Sequence, residues 1–215
     1  MTSTCEANRR QGLWARIGAS IYDPFLALAE RRGMASRRRA LLARAHGRVL
    51  EIGAGTGLNL AYYPTGIDEL VLSEPEPAMR GRLERHLAQS GLDATVVPAC
   101  AEALPFEDGA FDTVVSTLVL CTVADPAEAV REMRRVLAPG GCLLFVEHVR
   151  AASPRLARWQ DLLAGPWAAF AQGCRCNAPT EALLARELRV VRVEHARWRG
   201  MPALVHPLII GEGVA

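Results

Sequence analysis

The chain has 215 residues, of which 50% are hydrophobic and 22% are charged, and its formal net charge is +2. This balance fits one soluble α/β domain with a sizeable core, and it excludes wholesale disorder and a disulfide-dense miniature scaffold. The longest mostly apolar stretch, residues 113–124, is too short to span a bilayer. The first residues also lack the basic-then-apolar order of a signal peptide. Together these features predict a cytoplasmic protein without a transmembrane segment.

Basic charge is concentrated near the start of the sequence. The chain has no lysine, and residues 1–48 hold ten arginines against Glu6, Asp23 and Glu30. Such a segment can favour an anionic membrane surface or nucleic acid, but a solvated helix face explains it as well because few aromatic residues are interspersed. The sequence also lacks an Asn/Asp-Pro-Pro-aromatic motif for holding a flipped base. We therefore predict no nucleic-acid partner.

The six cysteines do not form the pattern of a disulfide framework. Cys121 and Cys142 lie in apolar runs, which favours buried thiols. Cys174 and Cys176 are separated by one residue, and no second Cys/His pair follows at zinc-site spacing. From spacing alone we predict no metal site.

Taken in chain order, the predicted elements alternate between helix and strand. Asp23-Pro24 is typical of a helix start, and the predicted helix runs from Pro24 to about Ala45. Strands are then predicted at 48–52, 69–73, 94–97, 111–117 and 142–147. Helices are predicted between them from Leu58, around Met79, Leu83 and Leu87, and from Asp125-Pro126. A helical stretch at 150–173, interrupted at Gly165-Pro166, is followed by a helix at 180–188 and closing strands at 189–193 and 203–210.

This alternation predicts an α/β fold, a Rossmann-like doubly wound sheet of seven mostly parallel strands. It has a helical segment before the sheet and a helical cap inserted after strand five. We expect one domain, divided into an N-terminal helical lid (1–47), a cofactor-binding core (48–148), a cap insert (149–188) and closing strands (189–215).

A glycine-rich turn after the first strand is the strongest motif. The sequence Glu51-Ile52-Gly53-Ala54-Gly55-Thr56-Gly57 lets a ligand approach the backbone, and a helix N-terminus beside it offers free N–H groups. The dinucleotide fingerprint would need glycine where Leu58 stands, and no Gly-Lys-Ser/Thr of a P-loop follows. Glu74 ends the second strand, where a carboxylate can accept both hydroxyls of a ribose. A merely tight turn and a surface acid remain the alternatives.

Five motifs in order resemble the class I S-adenosylmethionine-dependent methyltransferases. They are the glycine turn, Glu74, the loop Ala101–Phe106, Phe111-Asp112 and Leu137-x-Pro139-Gly140-Gly141. The resemblance implies S-adenosyl-L-methionine as the cofactor, with its methionine part at the glycine turn, its ribose on Glu74 and its adenine beside Ala101-Glu102. The residues expected to contact it are Glu51, Gly53, Ala54, Gly55, Thr56, Gly57, Asn59, Glu74, Pro75, Ala101, Glu102, Thr117 and Leu118. Cys100 stands where many members carry Asp.

A narrower resemblance extends to the methyltransferase-like proteins that S-methylate alkyl thiols. It depends on residues 117–123, Glu147-His148-Val149, Trp159-Gln160, Gly173-Cys174 and the tail at 206–211. It implies a small, fairly apolar thiol as the acceptor. The animal members carry an N-terminal hydrophobic membrane segment that this sequence lacks, so membrane attachment is not implied.

Among the candidate acceptor-site residues, His148 is the one expected to take part in the chemistry. It follows strand five and acts either as a base for the thiol or as an orienting hydrogen-bond partner. Tyr22, Trp159, Gln160 and Trp167 are expected to contact the substrate, with core packing as the alternative for the aromatic residues. Other functions left open are an O-, N- or C-methyltransferase of a metabolite or quinone, an NAD-linked oxidoreductase and a non-catalytic ligand-binding protein.

Overall fold

The computed structural model describes residues 22–215. The start of the arginine-rich segment therefore lies outside the described residues. The strands are β1 (Arg48–Ile52), β2 (Glu69–Ser73), β3 (Thr95–Val97), β4 (Phe111–Thr117), β5 (Leu137–His148), β6 (Arg189–Arg197) and β7 (Pro207–Val214). The labelled helices are α1 (Ala35–Leu42), α2 (Pro77–Ser90), α3 (Pro126–Val136), α4 (Pro154–Phe170) and α5 (Thr180–Glu187). Residues 22–29 are also helical, and short 3-10 turns occupy Leu60–Tyr62 and Ala203–Val205.

The strands form one seven-stranded sheet in the order β3-β2-β1-β4-β5-β7-β6. Neighbouring strands from β3 to β5 are parallel, and β7 is antiparallel to both β5 and β6. This architecture confirms the predicted doubly wound, mostly parallel sheet. The carboxyl ends of β1, β2, β4 and β5 therefore meet along one edge, where open α/β sheets bind their ligands.

Both faces of the sheet are buried, which explains its nearly continuous apolar strands. In β5, Leu144 and Val146 pack on the face that the N-terminal helical segment covers. Leu143 and Phe145 pack on the opposite face, against α3 and α5. Because successive side chains of a strand alternate between faces, both faces of this part of β5 are apolar, and its buried polar residues Glu147 and His148 come at the carboxyl end.

The first helical segment differs from its prediction. Tyr22 is already helical, so Asp23 is not the N-cap; its carboxylate instead accepts a hydrogen bond from Thr56 Oγ1 at 2.5 Å. A π-helical turn at Glu30–Met34, with Gly33 at φ 120°, kinks the segment before α1. The helix ends at Leu42, slightly earlier than expected.

Later boundaries also differ. Strand β5 begins at Leu137, which pairs with Phe111 across a register irregularity, so Pro139-Gly140-Gly141 lies within the strand. Pro166 does not interrupt α4, which runs continuously from Pro154 to Phe170. Between residues 22 and 215, no helix combines the length and hydropathy needed to cross a membrane.

Candidate active site

A cavity of about 330 Å³ opens at the carboxyl edge of the sheet. One end is formed by the glycine turn and the loops after β2, β3 and β4. The other end is formed by the N-terminal helical segment, α4 and the loops that follow α4 and β6. A long ligand could therefore contact the parallel core at one end and the cap at the other.

The glycine turn and Glu74 are joined before any ligand arrives. Glu74 is buried, and its carboxylate accepts hydrogen bonds from the backbone N–H of Gly55 and of Glu76, each at 2.8 Å. Burial raises the pKa of Glu74. Gly55 has φ 60°, and a Cβ there would meet only the Gly53 carbonyl oxygen, at 3.9 Å. The bare backbone thus leaves open space beside a buried carboxylate, as expected for a turn that a ligand can approach closely.

Most of the predicted cofactor residues line this cavity. Those that do are Gly53, Gly55, Glu74, Pro75, Ala101, Glu102, Thr117 and Leu118. Leu118 has φ 61°, an unusual backbone conformation for a non-glycine residue, and it turns the chain at the end of β4. Glu102 Oε1 accepts from the backbone N–H of Ala124 at 2.7 Å and so joins the loop after β3 to the start of α3.

The remaining predicted cofactor residues do not line the cavity: Glu51, Ala54, Thr56, Gly57 and Asn59. Their contact with the cofactor stays a prediction. The Glu51 carboxylate accepts from Asn59 Nδ2 at 2.9 Å and from the Tyr63 hydroxyl at 2.6 Å. Burial raises the pKa of Glu51 to about 7. These buried hydrogen bonds fix the start of the glycine turn within the protein.

A buried group of sulfur and nitrogen atoms lies at the end of the cavity formed by the N-terminal helical segment and α4. We call this the acceptor end, because the methyl acceptor is expected there. His148 Nε2 is 2.9 Å from Cys174 Sγ, and Trp167 Nε1 donates to the same sulfur at 3.2 Å. Cys121 forms a hydrogen bond with Cys174, and this bond, opposed by burial and aided by His148 and Trp167, lowers the pKa of the Cys174 thiol. Within the described residues, His148 Nδ1 has no hydrogen-bond partner. The described protein residues therefore leave its tautomer unfixed.

The substrate residues predicted from sequence divide into two pairs. Tyr22 and Trp167 line the cavity, whereas Trp159 and Gln160 do not. The side of α4 that faces the protein carries Ala157, Gln160, Ala164 and Trp167. Trp159 does not lie on this side, and its side chain is 58% exposed. Gln160 is buried but engaged elsewhere, since it accepts from Ala151 N and donates to the Leu204 carbonyl. Trp159 and Gln160 therefore lie outside the cavity wall, and substrate contact stays a prediction for all four residues.

Several residues of the cavity wall are absent from the sequence prediction. They are Phe25, Leu26, Met79, Cys121, Phe170, Cys174, Trp198, Met201 and Val205. Cys121 and Cys174 occur in motifs that carry the narrower resemblance, but they lie 53 positions apart, and only the topology reveals that they meet. Cys121 and Cys142 are buried free thiols as predicted, Cys174 and Cys176 are also free, and Cys100 is disulfide-bonded.

Comparison with known proteins agrees with this geometry. A methyltransferase-domain model matches residues 50–145. Human thiol S-methyltransferase TMT1B is 34% identical over 178 residues, covering 76% of this chain and 72% of the human protein. Human thiol S-methyltransferase TMT1A is 32% identical over 219 residues, covering 94% of this chain and 89% of the human protein. The chain belongs to the class I S-adenosylmethionine-dependent methyltransferases.

Two further matches are to methyltransferases that act on carbon and on nitrogen. A ubiquinone/menaquinone C-methyltransferase UbiE from Hahella chejuensis is 36% identical over 126 residues, covering 55% of this chain and 50% of that protein. The structure of N-methyltransferase NodS from Bradyrhizobium japonicum in complex with S-adenosyl-L-homocysteine superposes with a TM-score of 0.64 at 19% identity, covering 86% and 87% of the two chains. The cofactor of this methyltransferase is S-adenosyl-L-methionine.

Proposed function

We propose that this methyltransferase transfers the methyl group of S-adenosyl-L-methionine to the sulfur of a small, fairly apolar thiol. The observation that carries the proposal is the extent of the match to the thiol S-methyltransferase TMT1A. It covers 94% of this chain and therefore extends beyond the parallel core through the cap. The side chains at the acceptor end favour an apolar acceptor, because they include Phe25, Leu26, Trp198 and Val205.

The cofactor supplies an electrophilic methyl group on a sulfonium sulfur. The residues of the chain bind and align the two reactants. Glu74 would accept the ribose hydroxyls, and the bare backbone of Gly53 and Gly55 would let the amino-acid part approach closely. The apolar walls exclude water around the acceptor. Alignment of two reactants of this kind can be worth on the order of 7–11 kcal/mol of the reaction barrier.

A thiol must lose its proton before it attacks, and its unperturbed pKa is roughly 8.5. His148 is the residue that we propose assists this loss, because it lies at the acceptor end and is buried. The titratable groups that face it are the thiols of Cys121 and Cys174, and the Glu147 carboxyl is its neighbour on β5. Burial raises the pKa of Glu147 to about 7.

The second candidate function keeps the cofactor and changes the acceptor to an oxygen, nitrogen or quinone carbon. The match to UbiE favours it, but that match spans 55% of the chain, against 94% for TMT1A. Methylation of a panel of small thiols, phenols, amines and quinones, followed with labelled cofactor, separates the two functions. We expect transfer to apolar thiols; transfer to quinones or phenols with none to any thiol would reject our proposal.

A second measurement tests the place of His148. We expect His148→Ala to lower the rate of thiol methylation, with a deficit that shrinks as the pH rises because more of the free thiol is ionised without help. His195→Ala is the matched control, since His195 is exposed and pairs with Glu181 on the surface. A deficit of constant size across the pH range would assign His148 an orienting role instead.

A further inference from the structure

The thiol–imidazole cluster, defined as Cys121, His148 and Cys174, forms a compact set of potential ligand atoms. The two sulfur atoms and a ring nitrogen all lie within 4.8 Å of one another, and all three residues are buried. Each also lines the cavity at its acceptor end. They come from three separate places: the loop after β4, the end of β5 and the loop after α4.

Backbone contacts bring these three places together. The buried Glu147 carboxylate, next to His148, accepts from the backbone N–H of Val119 at 3.0 Å and of Leu120 at 3.2 Å. The backbone N–H of Arg175 donates to the Cys121 carbonyl at 2.7 Å. The loop that carries Cys121 is thus held on one side by β5 and on the other by the loop that carries Cys174. The cluster is built into the fold rather than produced by chance side-chain orientations.

We propose that the thiol–imidazole cluster binds one zinc-like divalent cation through Cys121 Sγ, His148 Nε2 and Cys174 Sγ, with the fourth position open to the acceptor. Two cysteines and one histidine with an open position are a donor set of catalytic zinc sites. The Trp167 N–H that donates to Cys174 is the kind of outer hydrogen bond that tunes metal-bound ligands. The open position faces the cavity because all three ligands line it.

The geometry requires only a small adjustment. Tetrahedral zinc, with Zn–S of about 2.3 Å and Zn–N of about 2.0 Å, separates a sulfur from a nitrogen ligand by about 3.5 Å. His148 Nε2 and Cys174 Sγ are 2.9 Å apart. This pair would therefore have to separate by about 0.6 Å, which rotations of the two side chains can provide. Cys176, which lies in the same loop, is not part of the set; its thiol donates to the Gln160 carbonyl at 3.6 Å.

With the cation bound, His148 would assist proton loss from the acceptor as a ligand of the cation and not as a base, and the cation would ionise the acceptor. An acceptor thiol that occupies the open position loses its proton to solvent, and its sulfur forms a bond to the methyl carbon while the carbon–sulfonium bond breaks. The products are a thioether, S-adenosyl-L-homocysteine and a proton, and no group changes oxidation state. This role rests on the proposed thiol function, whereas the binding of the cation does not.

The experiment measures metal binding directly on the full-length protein. Purified protein is analysed for metal by mass spectrometry, then stripped with a chelator and titrated with Zn²⁺ and Co²⁺. We expect one cation per chain, visible d–d bands of tetrahedral cobalt and a thiolate-to-cobalt charge-transfer band that an added alkyl thiol perturbs. Cys121→Ser and Cys174→Ser should lose these bands. Cys176→Ser, a buried cysteine outside the cluster, should keep them.

Binding of S-adenosyl-L-homocysteine, measured by calorimetry on every variant, shows whether each one is folded. Absence of stoichiometric metal binding, or cobalt bands that survive Cys121→Ser and Cys174→Ser, would overturn the metal site. Undiminished thiol methylation by the stripped protein would overturn its role while leaving the proposed function intact. Metal binding together with methylation of phenols alone would uphold the site and reject the thiol function.

Discussion

At the scale of single residues, the cofactor end of the cavity depends on the absence of a side chain at Gly55 as much as on the presence of the Glu74 carboxylate. Gly55 leaves open space beside the Glu74 carboxylate, and its φ of 60° suits a residue without a Cβ. An added methyl group would project into this space and strain the backbone by about 1 kcal/mol or more. The absence of a side chain is therefore a binding feature.

We expect Gly55→Ala to weaken binding of S-adenosyl-L-homocysteine by about tenfold or more, because the methyl group intrudes where the ligand meets the backbone. Isothermal titration calorimetry measures the change. Gly91→Ala is a matched control, since Gly91 also has a positive φ (74°) but ends α2 with nothing within 4 Å of an added Cβ. Equal loss of affinity in both variants would show that general strain, not intrusion, is the cause.

Residue positions also show what the sequence could and could not predict. Glu74 and the glycine turn are recognisable because a strand–turn–helix motif is local. The exposed position of Trp159 could not be predicted in this way, because Trp159 and Trp167 lie on the same helix. The burial of Ala157, Gln160 and Ala164 shows which side of the helix faces the protein. The proximity of Cys121, His148 and Cys174 could not be predicted from local sequence. The three residues follow β4, end β5 and follow α4, and only the fold brings these places together.

At the scale of elements, α4 presents two tryptophans to different surroundings. We expect Trp167→Ala to raise the KM for the acceptor fivefold to thirtyfold, as removal of about 1–2 kcal/mol of contact would do, without changing the affinity for S-adenosyl-L-homocysteine. Trp159→Ala should change neither quantity, because that side chain is exposed. Steady-state kinetics and calorimetry on both variants measure the effects. An equal rise in KM for both would mean that the outer side of α4 also meets the acceptor.

The elements themselves were predictable to different degrees. The bounds of β1 and β2 match their predictions because each is a short apolar run bounded by polar or glycine residues, and those of β4 match because its run is rich in β-branched residues. Strand β5 begins five residues earlier than predicted, since Pro139-Gly140-Gly141 is typical of a turn, yet the chain continues to pair across a register irregularity. The hydrophobic pattern does not predict the π-helical turn at Glu30–Met34. Gly33 is consistent with a kink there, but a glycine alone does not predict one.

At the scale of the whole molecule, buried carboxyl groups make stability depend on pH. Burial raises the pKa of Glu51 from 4.5 to about 7. Between these two values the unfolded chain has released a proton that the folded protein retains, so stability falls as the pH rises. Ionisation of Glu51 alone should lower the free energy of unfolding by roughly 1–3 kcal/mol across this range.

Glu51→Gln should remove this part of the pH dependence, because a neutral amide can keep the bonds to Asn59 and Tyr63. Urea unfolding at several pH values from 4.5 to 8 measures it, and we expect the stability of the variant relative to the wild type to increase with pH. Glu69→Gln is the control, since Glu69 is exposed and pairs with Arg48. A constant difference between Glu51→Gln and the wild type would contradict the expected titration of the buried group.

The hydrogen bond between the Gly55 N–H and the Glu74 carboxylate has a consequence for association. The adjacent strands β1 and β2 hold the Glu74 carboxylate and the glycine turn in fixed mutual positions. In the binding mode that we propose, the nucleoside would order little additional backbone there, so the entropy lost on binding would come mainly from the ligand.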